Sequence, residues 1–281
     1  MHNWSTGPSS RAETFGAVLA STSIGAVTTS ASANTKGAWG SIVANQAGTS
    51  FAYESITVGL LVSTARDCTV DIGIETGFSP SEYYTIVEDL RLPGLRVANF
   101  PCIVYSIPVH VPAGAKLAAR AQASTGSTAV GVYVIGHSAG IMGAPGYGRC
   151  IALYTPATSR GVSIDPGAVA HTKPAYTQLV ASTSADVEAL IVAIGGAGDI
   201  ARTAADSWLI DVGVGTAANE WAVLPNLFAV AETNADWPLP AVFGPFACSI
   251  PKTSRVAARC QCNVTTAGDR VLDIGVWGLV P

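Results

Sequence analysis

Charged side chains are scarce, at 12% of the 281 residues, against about 25% in an ordinary soluble chain. Lysine occurs four times, the net charge is −4, and no basic stripe runs through the chain. Recognition of a phosphate backbone needs clustered Lys and Arg, so no nucleic-acid partner is expected. Apolar stretches such as GLLV and VGVYVIG fall short of the ~18 residues of a spanning helix, so no membrane partner is expected either. The six cysteines have no C-x-x-C spacing and the four histidines are scattered. That pattern predicts neither a metal site nor a cofactor. The amino-terminal MHNWSTGPSSRAETFG is polar, without the basic-then-apolar order of a secretory signal, and points to synthesis in a cytoplasm. Hydrophobic residues make up 49%. A chain so rich in them and so poor in charge is expected to bury surface against other subunits.

The chain is also written twice. Lys36-Gly-Ala-Trp39-Gly-Ser-Ile-Val-Ala44 returns as Lys173-Pro-Ala-Tyr176-Thr-Gln-Leu-Val-Ala181, and Val70-Asp71-Ile72-Gly73-Ile74 returns as Ile210-Asp211-Val212-Gly213-Val214. Glu88-Asp-Leu90 matches Pro225-Asn-Leu227, and Ile107-Pro-Val-His-Val-Pro112 matches Phe246-Ala-Cys-Ser-Ile-Pro251. Lys116-Leu-Ala-Ala-Arg120-Ala-Gln122-Ala matches Arg255-Val-Ala-Ala-Arg259-Cys-Gln261-Cys. The alignment slips only at Gly, Ser, Thr and Asp clusters, which mark loops. It divides the chain into an arm (1–14), a first repeat (15–136), a Gly-rich linker (137–149) and a second repeat (150–281).

Within each repeat the period is two. Ile107, Val109 and Val111 alternate with other residues, as Phe246, Cys248 and Ile250 do, and Leu117, Ala119, Ala121 and Ala123 share one face while Arg120 and Gln122 share the other. Such alternation, broken by regular turn clusters, predicts an all-β chain of two tandem homologous β-sandwich domains, jelly-roll-like, with about eight strands each.

Two motifs imitate enzymes. Gly136-His137-Ser138-Ala139-Gly140 is G-x-S-x-G, the serine-hydrolase nucleophile pattern. It begins where the first repeat ends, since Gly136 matches Gly278, and the four Gly and Pro145 that follow Ala139 oppose the helix an elbow requires. Ser138 therefore reads as a linker residue, with a serine hydrolase the third and weakest reading. Gly196-Ala-Gly198-Asp-Ile-Ala201 imitates a dinucleotide fingerprint. The matching connection in the first repeat, near 63–67, is too short for a crossover helix, so a hairpin loop is expected instead.

Arg120 and Arg259 recur at one point of the repeat and read as structural ion-pair residues, with an acidic ligand the alternative. Asp71 and Asp211 read as carboxylates accepting backbone N–H bonds at strand-end turns. Trp39 and Tyr176 read as core or interface residues, although an exposed aromatic could stack on a sugar. Cys260 and Cys262 lie on one face of a strand, too far apart to pair with each other comfortably, and read as buried and inert. Cys150, at the edge of the Gly-rich linker, is the candidate for exposure and for an inter-subunit disulfide.

The segments at 70–73 and 210–215, at 220–227, and at 107–123 with its copy 246–262 resemble segments of structural proteins of tailed bacteriophages. The first repeat departs from the pattern, with Ala121 and Ala123 where the second has cysteines, and with Pro108 inside its strand. The resemblance implies a non-enzymatic virion component, such as a capsid decoration, neck or collar, or tail-associated protein, whose partners are copies of itself and other virion proteins. It brings no catalytic residues with it. The alternative is a glycan- or receptor-binding module of a tail appendage, recognisable by an exposed aromatic groove with Asp or Asn beside it.

Overall fold

The computed structural model describes residues 11–18, 23–42, 48–62, 66–75, 82–92, 102–138, 146–155, 158–196, 203–231 and 242–281. The first half contributes β1 (Ala12–Phe15), β2 (Ala17–Val18), β3 (Ser23–Ile24), β4 (Ala26–Thr28), β5 (Gly40–Ser41), β6 (Ser55–Val62), β7 (Cys68–Glu75), β8 (Tyr83–Leu92), β9 (Cys102–Ile107), β10 (Leu117–Ala123) and β11 (Ala129–His137). The second contributes β12 (Arg149–Ala152), β13 (Val162–Ile164), β14 (Thr177–Val180), β15 (Val187–Gly196), β16 (Asp206–Val214), β17 (Trp221–Ala231), β18 (Val242–Ile250), β19 (Val256–Cys262), the single turn α1 (Ala267–Arg270) and β20 (Leu272–Val280).

Period two becomes inside and outside. Along β11, Val130, Val132 and Val134 are buried while the residues between them are half-exposed or exposed. Leu117, Ala119, Ala121 and Ala123 of β10 point inward, and Cys260 and Cys262 take the same inward places in β19. Both cysteines are buried and outside any disulfide, and burial pushes the Cys260 thiol up to about 12, which favours its protonated form.

In the first half, the strand order β1-β11-β6-β9, with β4 also on β11, makes one sheet, and β5-β10-β7-β8 makes the other. The second half repeats this strand for strand: β12-β20-β15-β18, with β13 also on β20, and β14-β19-β16-β17. First strand beside last, in two facing sheets around an apolar core, is a jelly roll. The protein is all-β, a tandem pair of such sandwiches. β1 enters its sheet at Ala12, inside the segment read from sequence as an arm, because a ladder is made by backbone groups whatever the side chains. Likewise β12 starts at Arg149, and residues 139–145 of the expected linker lie outside the described residues.

The two sandwiches share a sheet. β12 pairs antiparallel with β20 on one side and parallel with β8 on the other, where Cys150 faces Val87. One sheet therefore runs from β18 through β15, β20, β12, β8, β7 and β10 to β5, crossing from the second half into the first.

Candidate functional site

Two features stand out on this frame: the joint between the halves, and a polar cluster repeated in each half.

The joint is built around Arg91 of β8, which is 1% exposed. Its Nη1 donates to the carbonyl of Asp273 (2.9 Å), and its Nη2 lies 3.4 Å from that residue's buried carboxylate. Arg160 (3.6 Å) and the Ser163 hydroxyl attend the same carboxylate. Space for the guanidinium comes from Gly195, where a Cβ would stand 2.9 Å from Nη1. Around this pair the Tyr105 hydroxyl donates to the Arg91 carbonyl (2.5 Å), the Tyr154 hydroxyl to the Asp89 carbonyl (2.5 Å), and the Trp277 indole N–H to the Glu88 carbonyl (2.8 Å). The rings of Tyr105 and Tyr154 both meet Trp277 edge-on. At the rim, Arg149 bonds the Glu88 carboxylate and the Thr85 carbonyl, with its guanidinium 5.3 Å from the Tyr84 ring. Burial pushes the Glu88 carboxyl up and the Arg149 charge pulls it back; burial wins.

The repeated cluster explains the Asp-x-Gly motif. Asp71 lies mid-strand in β7, not at the strand-end turn expected from sequence, and its carboxylate accepts from Lys36 (2.8 Å), Arg120 (2.7 Å) and the Asp89 N–H (2.8 Å). Asp211 of β16 accepts from Lys173 (2.6 Å), Arg259 (3.0 Å) and the Asn226 N–H (2.9 Å). Asp89 and Asn226 both have positive φ (48° and 54°), at a register shift in the adjoining strand. The extra residue of each bulge turns an N–H away from the ladder, and the Asp satisfies it. The Arg then stacks on an aromatic ring, Arg120 on Trp39 (4.7 Å) and Arg259 on Tyr176 (4.4 Å). The glycine two residues after each Asp makes room for that ring: a Cβ at Gly73 or Gly213 would lie 2.8 or 2.6 Å from it. In the first half Asp71 and Asp89 are paired with Lys36 and Arg120, and in the second Lys173 and Arg259 share the single carboxylate of Asp211, with Asn226 in the place of Asp89. Such saturation holds a loop onto a sheet; it offers a ligand no free carboxylate.

The described residues of the two enzyme-like motifs lie in antiparallel ladders. The Ser138 backbone N–H donates to the Arg11 carbonyl (2.9 Å) and its hydroxyl accepts from the Arg11 N–H (2.7 Å), continuing the antiparallel β1–β11 ladder. The neighbouring His137 ring is 3.0 Å from the Thr57 hydroxyl. Gly195 and Gly196 end β15, whose partners β18 and β20 are both antiparallel, whereas a dinucleotide crossover joins parallel strands; residues 197–202 lie outside the described residues. Among the described residues no group of three or more His, Cys, Asp or Glu is placed to hold a metal, and no helix is long and apolar enough to cross a membrane.

Cys150 corrects the sequence reading. It was expected near the surface beside the linker, yet it is fully buried, because the strand it begins is enclosed by β20 and β8. Burial raises its thiol well above the ordinary range. Non-reducing electrophoresis of assembled protein should therefore give monomer bands, identical in wild type and Cys150→Ser. A ladder that is lost in the variant would contradict the burial.

What sequence reasoning missed is the joint itself and the exposed edge strand β17, where Trp221 and Phe228 are 56% and 57% exposed with Asn226 between them. The available signal was a mismatch: Arg91 and Phe228 stand at the same place in the repeat, opposite Thr69 and Leu209.

No known protein family matches the chain, and no curated protein matches it. Among solved structures, the CBM22-1–CBM22-2 tandem domain from Paenibacillus barcinonensis Xyn10C shares 9% identity over 96% of this chain and 92% of that one, with a TM-score of 0.25. PNGF-II shares 8% over 96% of this chain and 66% of that one, TM-score 0.34, and infectious bursal disease virus strain Gx shares 10% over 97% and 77%, TM-score 0.14. Similarity at this level carries no functional argument.

Proposed function

We propose that the chain is a non-enzymatic building block of a phage particle, a capsid-decoration, neck or collar, or tail-associated protein that works by making contacts between subunits. The observation that carries this reading is the joint: the polar investment of the molecule goes into fastening one jelly roll to the next through a shared sheet. The repeated Asp71 and Asp211 clusters are consumed internally in the same way. Scarcity of charge and the resemblance of its repeat motifs to phage structural proteins support the same role, with other virion proteins and further copies of the chain as partners. Peptide mass spectrometry of purified virions of the phage encoding the chain tests it. Stoichiometric presence, in many copies per particle, is expected; absence from the particle would refute it.

A second reading, a glycan- or receptor-binding module, is favoured by one observation, the exposed Trp221 and Phe228 with Asn226 on β17. Binding to a glycan array that disappears in Trp221→Ala would establish it.

A further inference from the structure

The joint leaves its two faces open at opposite ends of the molecule. β8 is the edge strand of its sheet within the first half, and it is covered because β12 lies against it. Its counterpart β17 is the edge strand of the second half, and among the described residues no strand lies on its outer side. The register identifies the pairs, since Leu90 and Val87 oppose Val70 and Ile72 as Leu227 and Leu224 oppose Ile210 and Val212. Ile86, Val87 and Leu90 are buried, whereas Val223, Leu224 and Leu227 are only half-buried. Arg91 is 1% exposed and Phe228 57%.

At the other face, among the described residues, no strand lies on the outer side of β1. β12 corresponds to β1, with Arg149 in the place of Arg11, because each pairs two residues beyond the matched Gly278 and Gly136 pairings of its ladder. All nine residues of β20 are buried. In β11, the matching strand, Gly131, Tyr133, Ile135 and His137 remain half-exposed at the positions of Asp273, Gly275, Trp277 and Leu279.

The two open faces differ from the internal joint in a concerted way. Arg91 and Asp273, paired in the joint, become Phe228 and Gly131: a buried charge pair is replaced by an aromatic ring and a residue with no side chain to obstruct it. Glu88 becomes Pro225 and Trp277 becomes Ile135, so the polar partners disappear from both sides together. Arg149, which stacks on Tyr84 in the joint, becomes Arg11, and Tyr84 becomes Trp221, the ring that holds a guanidinium best. Polar wiring suits a contact formed once within a chain. An apolar contact with a cation–π rim suits one formed between chains, where burial supplies the driving force.

We propose that the chain adds head to tail to further copies of itself, the β17 edge of one chain receiving the β1 edge of the next as β8 receives β12. The inference rests on the building-block reading for its place in a particle and gives that reading its partner. Ala12 then opposes Leu224, as Cys150 opposes Val87; Arg11 lies over Trp221, and Phe228 packs on the outer face of β11 at Gly131. The two surfaces are different, so the contact is heterologous and the product is a ring or a filament, not a two-fold dimer. Exposed sheet edges are the usual templates for such strand addition.

Sedimentation velocity and disulfide trapping test the proposal. Wild type should associate with rising concentration into species beyond a dimer, and Phe228→Asp should weaken this by at least about tenfold, with an unchanged melting temperature because Phe228 is exposed. Ala12→Cys chains mixed with Leu224→Cys chains under oxidising conditions should give a linked dimer, and neither should do so alone. A wild type that stays monomeric, an association indifferent to Phe228→Asp, or a dimer trapped with Ala12→Cys alone would each overturn it. Association in solution by a chain absent from virions would remove the building-block reading and leave the joint standing. A chain present in virions but untrapped there by the mixed cysteines would do the reverse.

Discussion

Arg91→Ala is expected to lower the unfolding free energy by about 3–5 kcal/mol, the range for removing one partner of a buried ion pair. The size follows from what is stranded. Asp273 is fully buried, and without Arg91 its charge is left to Arg160 at 3.6 Å and the Ser163 hydroxyl. The same substitution empties the space that Gly195 keeps open, where a Cβ would come within 2.9 Å of the guanidinium. Denaturant unfolding of the single variant, read beside the double variant Arg91→Met, Asp273→Leu, separates the two contributions. The double variant is expected to regain at least half of the loss, because the one charge it leaves unpaired, Arg160, is partly exposed to water, and the apolar side chains refill the space. Since Arg91 and Asp273 belong to different jelly rolls, the single variant should also split one cooperative transition into two. A cost below about 1 kcal/mol, the level of a surface pair, would mean that the joint does not depend on this pair.

The jelly-roll pair was legible in the sequence to the extent that it is local or repeated. Period two in 107–111 and 117–123 identified strands, and the doubling of Asp71-Ile-Gly73 as Asp211-Val-Gly213 identified the halves. Strand order was not legible, because period two says which face a residue takes and nothing about which strand lies beside it. The meaning of Asp-x-Gly was missed for a related reason: the bulge at Asp89 and Asn226 that the Asp serves is in another strand. The joint escaped because a search for repeats rewards sameness, and the joint is made where the halves differ. Arg91 against Phe228, and Asp273 against Gly131, look like drift in an alignment. Cys150 was misjudged through its flank, since glycines before a strand say little about what encloses it.

Asp211→Ala is expected to cost about 2–4 kcal/mol, since charge-assisted hydrogen bonds are worth ~1.5–3 each and the partly exposed cations recover part of that from water. Lys173, Arg259 and the Asn226 N–H all lose the Asp211 carboxylate in one substitution, although Lys173 keeps its bond to the Asn226 Oδ1 (2.5 Å). The contribution should also depend on pH. Burial alone would raise the Asp211 carboxyl, but Lys173, the Asn226 N–H and Arg259 together hold it below its usual value. A carboxyl depressed in the folded state binds its proton less readily there than in the unfolded chain, so its stabilisation is full above the unfolded carboxylate pKa of ~3.9 and is lost as pH falls through the folded value. Denaturant unfolding of wild type and Asp211→Asn between neutral pH and about pH 3 measures the difference at each point. The gap should be widest near neutrality and narrow below about pH 4, because protonated Asp211 resembles the amide that replaces it. A gap constant across that range would show that Asp211 acts by shape alone, and that the ion cluster of the second half contributes nothing through its charge.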